Sequence, residues 1–183
     1  MTTSPKLRLL VRGDCDRACP GCCNRQWALE GLPLCTDFAG YSEVLLTGGE
    51  PMLDWRHVSQ VIAEIRKQDA LVPIYMYTAR TRPVHELGII LHQLSGVTVT
   101  LHKPEDLAPF LGFAEYVRRW KLHKGRTLRV NAFKPIVVPP LDHWIVKPGM
   151  EWIIDCPLPE QEVFMRLPQP KMLGQWTGAA RGA

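Results

Sequence analysis

Short apolar runs alternate with amphipathic stretches along most of the chain. The runs predict five strands, at residues 7–12, 43–47, 72–78, 97–101 and 127–133. The second run is continuously apolar, which is typical of a strand buried on both faces of a parallel sheet. The fourth is rich in β-branched residues, which favour strands.

Three stretches between these strands place apolar residues at helical spacing. Asp54 can cap the first helix, whose apolar face consists of Trp55, Val58, Val61, Ile62 and Ile65. The second is expected to begin at Pro83 and end at Ser95-Gly96. The third is expected to begin at Pro104 and end by Gly125. A short helix is also expected around residues 25–30.

Strands that alternate with helices predict a parallel α/β sheet with right-handed crossovers. A full eight-unit barrel needs roughly 250 residues, or about 31 per unit, and residues 1–156 supply about five units. We therefore predict one domain, a partial barrel of about five βα units that is open on one side. Residues 142–155 predict a C-terminal β-hairpin around Lys147 to Met150, because Pro-Gly suits a type II turn. Residues 157–183 are proline-rich and are expected to form an extended, partly mobile tail.

The composition is that of an ordinary globular chain, with 183 residues, 46% hydrophobic and 22% charged. The net charge of +4 is only a weak hint of an anionic partner. No apolar run approaches the roughly 20 residues of a membrane helix, and the first residues lack the apolar segment of a secretory signal. A cytoplasmic location and no membrane partner are expected.

Four of the six cysteines crowd into nine residues, which favours metal or redox chemistry over a disulfide framework. Cys15, Cys19 and Cys22 have the spacing C-x3-C-x2-C. Soft thiolate sulfur suits an iron–sulfur cluster. Because a [4Fe–4S] cube has four irons, three such ligands leave one iron open to a molecule that is not protein.

A zinc site is the alternative interpretation, with Cys23 or Cys35 as the fourth ligand. Zinc ribbons usually pair two C-x2-C units, and this loop has only one. Cys35 and Cys156 are more typical of plain buried cysteines.

A second motif, Thr47-Gly48-Gly49-Glu50-Pro51, directly follows the second predicted strand. In a barrel, this is the end at which active sites form. Glycines allow close approach of the backbone to a ligand, and a carbonyl group or Glu50 can accept a hydrogen bond from an ammonium group. The alternative interpretation is a simple glycine turn before a helix.

The two motifs, in this order, resemble the radical S-adenosylmethionine (radical SAM) superfamily. The resemblance implies a partial (βα)6 barrel, so the expected fold is a partial, open (βα)5–6 barrel. The resemblance implies that Cys15, Cys19 and Cys22 hold a [4Fe–4S] cluster whose open iron chelates S-adenosylmethionine. It also implies that the turn at residues 48–51 binds the methionine amino group. The activity implied is that of an oxidoreductase that cleaves S-adenosylmethionine to a 5′-deoxyadenosyl radical, which abstracts hydrogen. An electron donor such as a flavodoxin or ferredoxin is implied as a partner.

The stretch from Cys19 to Trp27 is similar to the activating enzymes of anaerobic ribonucleotide reductase, a resemblance that covers residues 8–80. It implies a large glycyl-radical protein as the substrate. Two alternatives remain open. One is radical SAM modification of a small nucleoside or peptide, and the other is a non-enzymatic iron–sulfur electron-transfer module or zinc structural module.

Several polar residues lie at or near the carboxyl ends of predicted strands, so a barrel would direct them toward its cavity. They are Thr78, His102, Lys103, Asn131 and Lys134, and for each the alternative is a solvated strand end. Asn24 and Trp27 are candidates for an adenine pocket. A basic cluster at residues 118–129 is either a solvated helix end or a docking face for an acidic partner. Nucleic acid is not an expected partner, because no aromatic ladder accompanies these cations.

Overall fold

A single sheet of seven parallel strands is the frame of the molecule. The computed structural model describes residues 4–153 and 160–168. The strands are β1 Lys6–Arg12, β2 Glu43–Gly48, β3 Ile74–Thr78, β4 Gly96–Leu101, β5 Thr127–Phe133, β6 Trp144–Met150 and β7 Glu162–Arg166. The helices are α1 Cys23–Gln26, α2 Trp55–Gln68, α3 Val84–Gln93 and α4 Leu107–Arg119. The order of strands across the sheet is β6-β5-β4-β3-β2-β1-β7.

The α/β class is confirmed, as are the five predicted strands and the three long helices. The strand β3 begins at Ile74 rather than at Val72, and the short helix α1 begins earlier than expected. None of the helices in the described part of the chain is both long and apolar enough to cross a bilayer.

The three long helices pack on one face of the sheet. Leu46 of β2 lies beside Leu9 of β1 and Met76 of β3, and Met76 lies beside Val97 of β4. All four are almost fully buried and form one core with Val58, Ile62 and Ile65 of α2 and with the apolar faces of α3 and α4. Burial of this continuous apolar layer stabilises the fold.

The opposite face of the sheet is more polar. Tyr77 on β3, Thr100 on β4 and Asn131 on β5 are half-buried there, and Thr100 lies directly beside Asn131. Arg8 of β1 is half-buried on the same side, where its guanidinium lies over the ring of Tyr77 at 5.8 Å. This face is available to line a binding cavity.

The prediction of a C-terminal β-hairpin is wrong. One strand, β6, runs through the predicted turn and pairs with β5 in parallel. The register shifts where Pro148 and Gly149 face the segment between Asn131 and Phe133, and Gly149 has a φ of 70°. The Pro-Gly pair therefore forms a bulge in an edge strand, where a proline is tolerated because its missing N–H would have no partner in the sheet.

The seventh strand was also not predicted. Residues 162–166 fall within the predicted tail, but they pair in parallel with β1. Arg8 of β1 and Glu162 of β7 form an ion pair of 2.6 Å between largely buried side chains. The ordered sheet thus extends beyond the boundary predicted at residue 156. Residues 154–159 and 169–183, which include the rest of the predicted tail, lie outside the described residues.

Candidate functional site

A cavity of about 350 Å³ lies at the carboxyl ends of the strands and extends along the polar face of the sheet. This volume is within the range of about 300–1,000 Å³ that is usual for ligand pockets. Both motifs meet there, because the residues that line the cavity include Cys15, Cys19, Cys22, Asn24, Gly48, Gly49 and Glu50. Of the strand-end candidates, Thr78, His102 and Asn131 line it too.

The three motif cysteines are free thiols on one loop. Cys15 is exposed, and Cys19 and Cys22 are half-buried. The backbone N–H of Arg17 donates a hydrogen bond to the Cys15 sulfur at 3.4 Å. Burial raises the pKa of the Cys15 and Cys19 thiols. Because a thiol must lose its proton to bind iron, ligation by this loop would release protons.

Arg17 anchors the cysteine loop to the strand ends, a role that the sequence did not reveal. Its guanidinium donates hydrogen bonds to Asp106 Oδ2 at 2.8 Å and to the carbonyl oxygen of Ala79 at 2.6 Å. The same Asp106 oxygen accepts hydrogen bonds from the backbone N–H groups of His102 and Lys103. Asp106 is only 7% exposed. The only sequence signal for this anchor is an acidic residue just after Pro104, where acids commonly stabilise a helix start.

The glycines of the second motif pack against the backbone of the cysteine loop. Gly48 has a φ of 145°, and a Cβ placed on it would lie 2.2 Å from the Arg12 carbonyl oxygen. A Cβ on Gly49 would lie 1.9 Å from the Asp14 carbonyl oxygen. The Gly49 N–H donates to Arg12 O and the Glu50 N–H donates to Asp14 O, both at 2.9 Å. The backbone of the glycine turn therefore packs directly against the backbone at the start of the cysteine loop, and the two motifs are joined there.

Glu50 is a buried brace between the second motif and β3. It is 2% exposed, and its carboxylate accepts hydrogen bonds from Thr78 Oγ1 at 2.6 Å, Met52 N at 3.0 Å and Ala79 N at 2.8 Å. Burial raises the pKa of Glu50, although these hydrogen bonds act in the opposite direction. Pro51 is buried and begins the 3₁₀ turn that leads into α2. The structure thus uses the carboxylate of Glu50 to hold the turn in place.

The two candidates for an adenine pocket have different surroundings. Asn24 donates a hydrogen bond from Nδ2 to the Gly48 carbonyl oxygen, which ties α1 to the glycine turn. Trp27 lines the cavity but also packs edge-on against Phe164 of β7, with ring centroids 5.3 Å apart. Its indole therefore joins the cavity wall to the small apolar cluster beside β1.

His102 is brought to the cysteine loop from the end of β4. Its Nδ1 lies 3.5 Å from the Cys19 sulfur. Burial, and next the positive charge of Arg17, lower the pKa of His102 to about 4, so the imidazole is neutral at neutral pH. The ring packs against Phe133 and Trp152, with centroids 5.2 Å away in each case. Trp152 falls within the range predicted as a hairpin, so its position over the site was not predicted.

Other candidates lie away from this cavity. Cys35 is buried, bonds through its Sγ to the Asp37 carbonyl oxygen at 3.3 Å, and lines a separate groove of about 800 Å³. Lys103 lines a neighbouring cavity of about 520 Å³, and Lys134 pairs with Glu151 at the surface. Cys156 lies outside the described residues.

Two arginines of the basic cluster make contacts at or near helix ends. Arg126 donates hydrogen bonds to carbonyl oxygens of Leu91 and Leu122, near the ends of α3 and α4. Arg118 pairs with Glu115 within α4. These contacts follow the usual preference of cations for helix C-termini.

Among the described residues, no three His, Cys, Asp or Glu side chains converge in the way that a single metal ion requires. The cysteine ligands of a [4Fe–4S] cluster bind different irons, so they need not converge on one point. A loop with three free thiols beside one cavity has the donor chemistry that such a cluster requires.

No model of a known protein family matches the chain, and no curated protein matches it significantly. What this cavity can do therefore has to follow from its own residues and their geometry.

Proposed function

We propose that the chain is a radical SAM enzyme that binds a [4Fe–4S] cluster through Cys15, Cys19 and Cys22 and cleaves S-adenosylmethionine reductively. One observation carries the proposal. The three thiols and the Gly48-Gly49 turn come from different parts of the sequence, but they line the same cavity. The arrangement supports a cluster with one iron facing an organic ligand.

When bound, the cluster would supply the electron that breaks the sulfonium–carbon bond. The residues of the chain would position the reactants. Arg17 and Asp106 hold the cysteine loop against β4. Backbone groups of the glycine turn border the ligand space, and Tyr77, Thr100 and Asn131 offer polar groups along the cavity. Stacked rings of Phe133 and Trp152, with centroids 4.2 Å apart, form an apolar wall beside it that would exclude water.

We also propose that the sheet curves as an open part of a barrel. Residues from six strands line the one cavity, namely Arg8, Thr47, Tyr77, Thr100, Asn131 and Met150. Neighbouring strands lie about 4.8 Å apart, so six strands in a flat sheet would span about 24 Å. A cavity of about 350 Å³ that touches all six is easier to form on a concave face.

The first test uses protein that is purified and reconstituted without air. We expect about four iron and four sulfide per chain, and 5′-deoxyadenosine after addition of dithionite and S-adenosylmethionine. Cys19→Ala should lose both the visible absorption and the product. Cys35→Ala is the matched control and should keep both, because Cys35 lines a different groove. Protein that is fully loaded with the cluster but yields no 5′-deoxyadenosine would contradict the proposal.

The finer proposal is that the chain activates a glycyl-radical enzyme, with a flavodoxin or ferredoxin as electron donor. It predicts a complex with a large protein and an electron paramagnetic resonance (EPR) doublet on that protein. If 5′-deoxyadenosine forms only when a small nucleoside or peptide is present, the small-substrate alternative replaces it.

A non-enzymatic iron–sulfur module is the second candidate, and a specific observation favours it. The Gly48 carbonyl oxygen already accepts a hydrogen bond from Asn24, and the Glu50 carboxylate already accepts hydrogen bonds from Thr78 and Ala79. The glycine turn therefore has a structural role even with no ligand. Addition of S-adenosylmethionine to the reduced cluster separates the candidates, since the EPR spectrum should change only for the enzyme. Colourless protein with one zinc per chain would favour a structural zinc module.

A further inference from the structure

The contact between His102 and Cys19 joins groups that are 83 residues apart in sequence. The Nδ1 to Sγ distance of 3.5 Å is short enough for a hydrogen bond to sulfur. A cysteine that ligates iron is a thiolate and has no proton to give. In that state only the imidazole can donate, so the contact requires the tautomer with hydrogen on Nδ1.

The imidazole is held in this position from two sides. Its ring lies against Phe133 and Trp152. The backbone N–H of His102 donates a hydrogen bond to Asp106 Oδ2 at 2.9 Å. The same carboxylate oxygen accepts a hydrogen bond from the guanidinium of Arg17 on the cysteine loop. One carboxylate thus fixes both the histidine and the loop that carries the sulfur. The donor and the acceptor are therefore held relative to each other by the protein.

We propose that His102 donates a hydrogen bond from Nδ1 to the Cys19 sulfur and thereby raises the reduction potential of the cluster. Reduction adds negative charge to the cluster and its sulfur ligands. A donor near a sulfur stabilises the reduced form more than the oxidised form, and such hydrogen bonds are a recognised control of cluster potential. This inference rests on the proposed function and assigns His102 a positioning role within it.

Three substitutions and one control test the inference. His102→Phe keeps a ring packed against Phe133 and Trp152 but removes the donor. His102→Asn places an amide N–H close to the position of Nδ1, whereas His102→Gln places it further out. His57→Phe is the matched control, because this half-buried histidine bonds to the Val11 carbonyl oxygen beside a different groove.

The measurement is the midpoint potential of the reconstituted cluster, followed by EPR during a redox titration without S-adenosylmethionine. We expect His102→Phe to lower the equilibrium constant for one-electron reduction about tenfold, which is a shift of about 59 mV. His102→Asn should restore most of the wild-type potential, and His57→Phe should match the wild type. Iron content and thermal unfolding are recorded for every variant.

An unchanged potential in a fully loaded His102→Phe protein would overturn the inference. If the His102→Phe protein does not fold or does not take up the cluster, the midpoint potentials of His102→Asn and His102→Gln are compared instead. Equal potentials in those two variants would also overturn the inference. Failure of the proposed function is a separate result, because it would be seen in the wild type as a missing cluster or as a loaded cluster that does not cleave S-adenosylmethionine.

Discussion

Gly49 is the residue at which the two motifs touch most closely. Its Cα lies so near the cysteine loop that a Cβ would be 1.9 Å from the Asp14 carbonyl oxygen. The obstacle is backbone, which cannot rotate away as a flexible side chain can. An alanine at this position must therefore displace either β2 or the start of the cysteine loop.

We predict that Gly49→Ala lowers the free energy of unfolding by at least about 3 kcal/mol, the upper part of the range for overpacked sites. Urea unfolding of the wild type and the variant, both in the same cofactor state, measures this difference in the free energy of unfolding. Gly112→Ala in α4 is the control, since nothing lies within 4 Å of its added Cβ, and it should raise stability by about 0.5–1 kcal/mol. Equal stabilities of Gly49→Ala and wild type would contradict the packing argument.

The roles of single residues were only partly predictable from sequence. A Gly-Gly pair after a strand signals close approach, but it does not say whether the neighbour is a ligand or another part of the chain. The pairing of Arg17 with Asp106 bridges 89 residues, and neither residue belongs to a local pattern that would select the other. Thr78, His102 and Asn131 were identified because strand ends in a parallel sheet share one edge, which is a property of the fold.

Among the elements, the link between the cysteine loop and the start of α4 depends on one carboxylate. Asp106 lies in the 3₁₀ turn that leads into α4 and faces Arg17, which is 19% exposed. Burial acts to raise the pKa of Asp106, but the hydrogen bonds from Arg17 and from the His102 backbone lower it on balance. The ionised carboxylate is thus the form that holds the loop.

We predict that Asp106→Asn destabilises the protein by about 2 kcal/mol at neutral pH, the scale of a hydrogen bond to a charged group. A depressed folded-state pKa adds stability above the unfolded value of about 3.9, and this stability disappears as pH falls through the folded value. The difference between wild type and variant should therefore narrow below about pH 4. Urea unfolding at several pH values tests this, with exposed Glu105→Gln as the control, and a difference independent of pH would contradict it.

The elements that the sequence predicted well are those whose signals are local. Apolar faces at helical spacing identified α2, α3 and α4, because each helix buries one side against the sheet. The strand β6 was misread because Pro148-Gly149 has a strong local preference for a turn, whereas pairing with β5 converts it into a bulge. The strand β7 is five residues long and lies in proline-rich sequence, so its pairing with β1 has no local signal.

At the scale of the whole molecule, the core and the site occupy different regions. The main core joins β1–β6 to α2, α3 and α4, and none of the three motif cysteines belongs to it. The cysteine loop is attached at the carboxyl ends of the strands, through the Gly49 and Glu50 backbone and through Arg17. The packing that stabilises the sheet and helices is therefore separate from the cysteine loop.

If the proposed cluster is present, we predict that the chain keeps its fold when anaerobic chelation removes it. Far-ultraviolet circular dichroism and cooperative urea unfolding should persist, because the burial that stabilises the core does not involve the ligands. Hydrogen exchange should accelerate in residues 13–27 and leave the buried strands β3 and β4 protected. Cys19→Ala, which cannot hold the cluster normally, should show the same exchange pattern. Global unfolding on chelation, as in small zinc-dependent domains, would contradict the prediction, because the fold of the sheet would then depend on the cluster.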